Sequence, residues 1–296
     1  MAGLNISDLP MPPDRFRVDQ VTRRNDGIVT FETYWDCLRE ESRRAKGFAR
    51  AIEKGLLVAH EASARDLLSR LDLAAQTGEA SDTLASSLFM RGLRIRVCGW
   101  LWKLMAMKSR HTTVTIIPKS WEFTPEQLMQ KDPRKLLAGF RTALYKEGVA
   151  SVPGWLFACV HGEFDPCAKV YRLHLHIACT KTMVPIIDRL RQRRGYQSRR
   201  FLGNGDPSPV YRRVWVRRKP LDNMPDPVTY VVQSFWPARP IYFDDKGGRH
   251  RLRQKGAIRE PFHSLVLLWL DRWEPKDLTL MVGLRATSSG LRRTRK

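Results

Sequence analysis

The stretch Leu173-His174-Leu175-His176-Ile177 alternates with a period of two, the pattern of a half-buried β-strand. Residues two apart on a strand project from one face and lie roughly 7 Å apart. Leu173, Leu175 and Ile177 must therefore face a core, while the two imidazoles share the opposite face and can converge on one ion. A chain carrying such a strand is committed to a sheet with one apolar face and one face that bears chemistry.

A second strand-like stretch, 154–163, ends in His161 and Glu163, also two apart, and turns through Asp165-Pro166 into 170–180. The register of this hairpin is decisive. If His161 pairs opposite His174, all four groups gather on one face; a slip of one residue sends His161 and Glu163 to the other. Two imidazoles with a carboxylate and open positions suit a divalent ion that also accepts a phosphate oxygen. The expected ligands are His174 and His176, with Glu163 as the third and His161 as its alternative. Cys37, Cys98, Cys159, Cys167 and Cys179 form no CxxC pair, so structural zinc is not expected and reduced thiols in a cytoplasmic protein are.

The surrounding pattern reads as an α+β domain. The β-branched run 111–118 (HTTVTIIP) predicts a strand, and Thr124-Pro125 opens a helical stretch to about residue 146, broken at Asp132-Pro133. A helix over 184–194, a basic strand over 211–216, a helix over 226–236 capped by Asp226 with Pro227 in its first turn, and a packing helix over 262–273 follow. That order suits an antiparallel sheet with helices on one face. Residues 1–30, with Pro10, Pro12 and Pro13, read as a flexible arm. Residues 31–108 read as a helical region, with Ser81-Asp82 offering a cap for a long third helix through Leu104. The domain bearing the histidines is expected over 109–273, and 274–296 as a basic tail, mobile from Arg285 onward.

Charge indicates the partner. Lys and Arg number 52 against 30 Asp and Glu, a formal +22, which calls for a polyanion. The basic residues do not lie on one amphipathic helix beside an anchor, and the most apolar stretch, 265–270, is far short of a membrane span. Nucleic acid is therefore expected, and a membrane is not. The excess is concentrated in 189–219, where ten Arg and one Lys face the single acid Asp206. Arg193, Arg194, Arg199, Arg200, Arg212, Arg213, Arg217, Arg218 and Lys219 are the expected phosphate contacts.

A His-x-His strand followed by a basic segment and a helix bearing a tyrosine resembles the HUH endonuclease superfamily, in particular rolling-circle replication initiators. The matching pieces are TVTIIP, LHLHIA and TYVVQSFW, which together span 112–236, under half of the chain. The resemblance implies a ferredoxin-like antiparallel sheet in which His174 and His176 bind Mg²⁺ or Mn²⁺. It implies that Tyr230 attacks single-stranded or locally melted origin DNA, keeps the 5′ phosphate and leaves a 3′-OH to prime replication. Trp215 and Trp236 are the aromatics available to stack bases. Gln233 departs from the family pattern, which has a lysine three residues after the tyrosine, so Lys219 or Arg239 is the expected substitute, with Tyr211 and Tyr242 as rival nucleophiles. No GxxxxGK[ST] motif occurs, which implies a borrowed host helicase alongside the host polymerase. HUH transposases and relaxases share this site, and a non-catalytic, sequence-specific DNA-binding regulator is the alternative from another class. Ala178 stands where a two-histidine phosphoesterase would need Ser or Thr.

Overall fold

The first long helix, α1 (Tyr34–Glu53), starts at a capping box: the Thr33 hydroxyl accepts from the Asp36 amide while the Asp36 carboxylate accepts from the Thr33 amide. After α2 (Glu61–Thr77) the chain stops on Gly78, whose φ of 74° is the left-handed conformation that glycine adopts without steric cost. The next helix, α3 (Ser87–Leu104), begins at Ser86 rather than at Ser81-Asp82. The buried Glu41 of α1 explains the shift, because its carboxylate accepts the Ser87 amide at 2.6 Å and fixes the start of the helix there. Phe48, Leu67 and Leu71 of these helices pack with Leu267 and Leu268 from α8 (Phe262–Asp271).

The computed structural model describes residues 4–21, 31–106, 110–200, 210–243, 245, 249–251 and 255–294. Residues 201–209 of the basic segment and the side chains of Arg199, Arg200, Tyr211 and Tyr242 lie outside the described part. Where a flexible arm was expected, residues 4–21 form three short 3₁₀ turns, the first packed on the turn Pro275–Leu278 and the other two on α3. Ile6, Leu9 and Val18 are buried, and the Trp100 indole donates to the Pro10 carbonyl at 2.8 Å. Their apolar residues are spaced too irregularly to give a helical or strand period, which is why the sequence pattern reads as a loop.

The sheet is assembled from β1 (His111–Ile116), β2 (Glu122–Phe123), β3 (Leu156–Asp165), β4 (Val170–Thr180), β7 (Val214–Val216) and β10 (Thr279–Val282). Its order is β10-β3-β4-β1-β7, with β2 also on β4, and every pairing is antiparallel. The architecture is thus α+β, helical region first. Between β2 and β3 lie α4 (Pro125–Met129) and α5 (Pro133–Lys146), split at Asp132-Pro133. Beyond β4 come α6 (Val184–Leu190), shorter than expected, then the paired β5 (Arg199–Arg200) and β6 (Val210–Tyr211). The short helix α7 (Asp226–Thr229) and the paired β8 (Ile241–Phe243) and β9 (Arg249–Arg251) precede α8.

Leu173, Leu175 and Ile177 are completely buried, in one core with Phe140, Leu144 and Ile187. The histidine face is not bare, contrary to the expectation of helices on one side. Leu93 and Val97 of α3 line a small cavity with Phe157 and Cys159, which share that face with His161. The helical region therefore roofs one end of the face, and at the other end His161 and Glu163, themselves largely buried, line a cleft.

The expected mobile tail also differs. Past β10, the strands β11 (Leu284–Thr287) and β12 (Gly290–Arg293) form a hairpin. Leu284, Ala286 and Leu291 are buried, while Arg285, Arg292 and Arg293 are exposed. Alternation of apolar and basic residues suits a two-faced ribbon, and the count of charges alone hides it. Among the described residues no helix is long and apolar enough to cross a membrane.

Candidate metal and nucleophile site

The β3–β4 register sets His161 opposite His174 and Glu163 opposite Arg172. All four expected groups consequently share one face. Their side chains then separate into a cluster and a neighbour. His161 Nδ1 lies 3.1 Å from His174 Nε2, which lies 3.2 Å from His176 Nε2. One nitrogen from each ring falls within 4.8 Å of the others. Glu163 is not in this group; its Oε2 faces the Arg239 guanidinium at 3.8 Å. The third ligand supported by the geometry is His161, where the sequence placed Glu163 first.

Proton positions follow from the partners. His161 Nε2 donates to the Phe235 carbonyl at 2.9 Å, and His174 Nδ1 to the Arg172 carbonyl at 3.3 Å, since a carbonyl oxygen can only accept. In a neutral imidazole the other nitrogen then bears a lone pair, so His161 Nδ1 and His174 Nε2 present lone pairs to each other. His176 Nε2 likewise accepts from the Gln233 amide at 3.3 Å, and its Nδ1 meets Thr115 Oγ1 at 3.3 Å. Backbone carbonyls that fix the tautomer of a ring are the usual outer support of metal-binding histidines. The lone pairs of His161 Nδ1 and His174 Nε2 converge, and that of His176 Nε2, which accepts from Gln233 here, would join them where an ion takes the place of the Gln233 amide; such an all-nitrogen set fits a divalent cation.

Burial, reinforced by the neighbouring histidines, holds His161 and His176 well below their ordinary value of 6.5. Both are thus neutral at physiological pH, as ligands must be. Such histidines bind more protons in the unfolded chain than in the folded one once pH drops below about 6.5. Stability of the metal-free protein should therefore rise with pH up to about 6.5 and level off above it, with buried His263, also lowered, acting in the same direction. Thermal midpoints measured between about pH 5 and pH 8 check this, and a midpoint falling over the lower part of that range would contradict neutral ligands.

Tyr230 lines the same cleft as the three histidines, Glu163, Gln233 and Arg239, a space of about 520 Å³. It is not carried on a long helix. Only Asp226–Thr229 are helical, Tyr230 is the C-terminal cap, and Asp226 binds the Asn223 amide instead of capping. The buried Arg94 of α3 accounts for the early stop. Its Nε donates to the Val232 carbonyl at 2.7 Å and its Nη2 to the Thr229 carbonyl at 3.2 Å, the acceptor that a continuing helix would have given to residue 233. Glu32 pairs with the same guanidinium. Arg94→Ala should cost about 3–5 kcal/mol, because it strands a carboxylate and two carbonyls. Urea unfolding would show this as a lower midpoint, and an unchanged midpoint would remove Arg94 from the support of the Tyr230 turn.

Burial and then Asp226 push the Tyr230 phenol above its ordinary value of 10, so it rests protonated. One cation at the ring has no counterpart in the sequence expectations: Lys255 Nζ stands 5.5 Å from the ring centroid and Lys255 also lines the cleft, while Arg239 is the charge that opposes the rise of the phenol. Of the two substitutes expected for Gln233, Arg239 lines the cleft and Lys219 is exposed outside it. Trp236 is buried over Gly162 and against Trp269, and so serves packing.

The expected phosphate contacts divide. Arg212 is exposed in the cleft, and Arg194 is exposed. Arg193 pairs with Glu147, Arg217 donates to Asn223 Oδ1 at 3.2 Å, and Arg218 pairs with Asp188 at 3.0 Å. Arg213 is buried and donates to the Ile117 carbonyl at 3.3 Å, so it braces β1 instead of facing solvent. No family model matches the chain, and neither curated proteins nor solved structures give a match.

Proposed function

We propose that this protein cuts and rejoins single-stranded DNA in a metal-dependent reaction through a tyrosyl phosphate, the chemistry of the HUH replication initiators that its motifs resemble. The observation that carries the reading is the convergence of three lone-pair-bearing imidazoles and Tyr230 on one open cleft walled by Arg212, Arg239 and Lys255. His161, His174 and His176 would hold a divalent ion, which when bound would supply positive charge to a non-bridging phosphate oxygen. Of the two candidate ions, Mn²⁺ suits an all-nitrogen set better than Mg²⁺, which prefers oxygen ligands and keeps its waters.

The remaining work falls to the chain. Arg212 and Lys255 offer charge to the strand's phosphates, and Arg239, whose charge opposes the rise of the Tyr230 phenol, favours the phenolate as its proton leaves to water. Tyr230 Oη then bonds to phosphorus, the bond from phosphorus to the 3′ oxygen breaks, and that oxygen takes up a proton. The ester conserves the phosphodiester energy, so attack by a 3′-OH restores DNA and frees the tyrosine. Incubation with Mn²⁺ and end-labelled single-stranded DNA, resolved by denaturing electrophoresis and peptide mapping, tests the reading. A covalent adduct is expected; intact DNA across a panel of origin-like hairpins and metals would defeat it.

A further inference from the structure

We propose that Trp215 and Arg212 form a stacking platform that holds one nucleobase of a single strand beside the histidine cluster. The inference rests on reading the cleft as a site for single-stranded DNA, and adds to that reading a residue that grips the strand by its bases. Trp215 occupies the middle of β7, the edge strand of the sheet. Its flanking Val214 is buried in the core, while Trp215 is 53% exposed, so the alternation of the strand turns the indole outward. Core packing accordingly makes no claim on most of this ring, and an exposed indole is a large apolar surface left in water.

The position is specific. Trp215 pairs opposite Thr115, which pairs opposite His176, so the indole stands two strand spacings, roughly 10 Å, from the cluster and on its face. Both residues line the cleft. The ring is also pre-oriented: its Nε1 donates to the Arg212 carbonyl at 2.8 Å. The Arg212 guanidinium lies 5.4 Å from the ring centroid, which places a phosphate-binding charge next to a π-face. An aromatic face beside a fixed cation matches the two halves of a nucleotide, and bases are available to stack only where the strand is unpaired. The strong positive charge of the chain favours this occupant over a peptide strand added to the short β7 edge.

The test measures binding without cleavage, using the full chain in chelator and the anisotropy of a labelled oligodeoxythymidylate or a duplex of equal length. Trp215→Ala should weaken single-strand binding about tenfold or more and leave duplex binding unchanged, whereas Trp215→Phe should keep most of the affinity. Arg212→Gln should weaken both and lower the salt slope by about one phosphate contact. Equal single-strand affinity in Trp215→Ala, or equal losses on both forms, would overturn the platform. These outcomes separate from nicking: an adduct-forming parent with no Trp215 effect sinks the platform alone, and a strong Trp215 effect without any adduct sinks the nuclease reading alone.

Discussion

Tyr230→Phe should bind single-stranded DNA and Mn²⁺ as the parent does and form no covalent adduct, with strand cleavage down by about 10⁴-fold or more. The substitution removes one oxygen and keeps the ring, which is 39% exposed and has Lys255 Nζ 5.5 Å from its centroid. No described hydrogen bond of the cleft depends on the phenolic oxygen, so stability should hardly change. The comparison is sharpened by Arg239→Ala, which leaves the nucleophile and removes the charge that opposes the rise of its phenol. Adduct formation in that variant should slow and its pH dependence should shift upward, because phenolate is harder to reach without the cation. An adduct persisting in Tyr230→Phe and mapping to Tyr211 or Tyr242 would move the nucleophile and leave the histidine cluster untouched.

How much of this was legible beforehand differs from element to element. Leu173-His174-Leu175-His176-Ile177 announced both the strand and its two faces, because a period of two is a local property. The register with β3 was not legible. Residues 156–160, Leu-Phe-Ala-Cys-Val, are apolar at every position, so neither alignment exposes a hydrophobic side chain and the pattern cannot choose. Burial of both faces, with α3 over Phe157 and Cys159, is the reason that run carries no alternation. The Asp226 helix was overestimated for a similar cause: its terminator, Arg94, lies 135 residues upstream of Thr229 in a different element. Lys255 was invisible because a lone lysine in Gln-Lys-Gly has no local signature, and only the Ala238–Gly256 bridge brings it to the cleft. Gln233, which looked like a mismatch, donates to His176 Nε2, the nitrogen that faces the other two histidines.

That same discrimination between face and cluster gives the second large effect. Substituting His161 with Ala should weaken Mn²⁺ binding about 100-fold or more, as much as substituting His176, whereas Glu163→Gln should change it only slightly. Loss of one of three nitrogen ligands would remove a direct bond, and the remaining two imidazoles sit two residues apart on one strand with no histidine across the hairpin to close the site. Glu163, by contrast, already faces Arg239, and its neutralisation mainly frees that guanidinium. Isothermal titration on metal-stripped protein reads all three variants on one scale. Phe235 enters through its backbone, so its carbonyl cannot be deleted by substitution, but the His161 tautomer it fixes can be read directly from ¹⁵N shifts of the ring. Nε2 should carry the proton and Nδ1 should respond to Mn²⁺ by paramagnetic broadening. If Glu163→Gln matched His161→Ala in lost affinity, or if His161 Nδ1 stayed sharp while His174 and His176 broadened, the site would be a two-histidine, one-carboxylate centre. The preference for Mn²⁺ over Mg²⁺ that follows from an all-nitrogen set would then disappear with it.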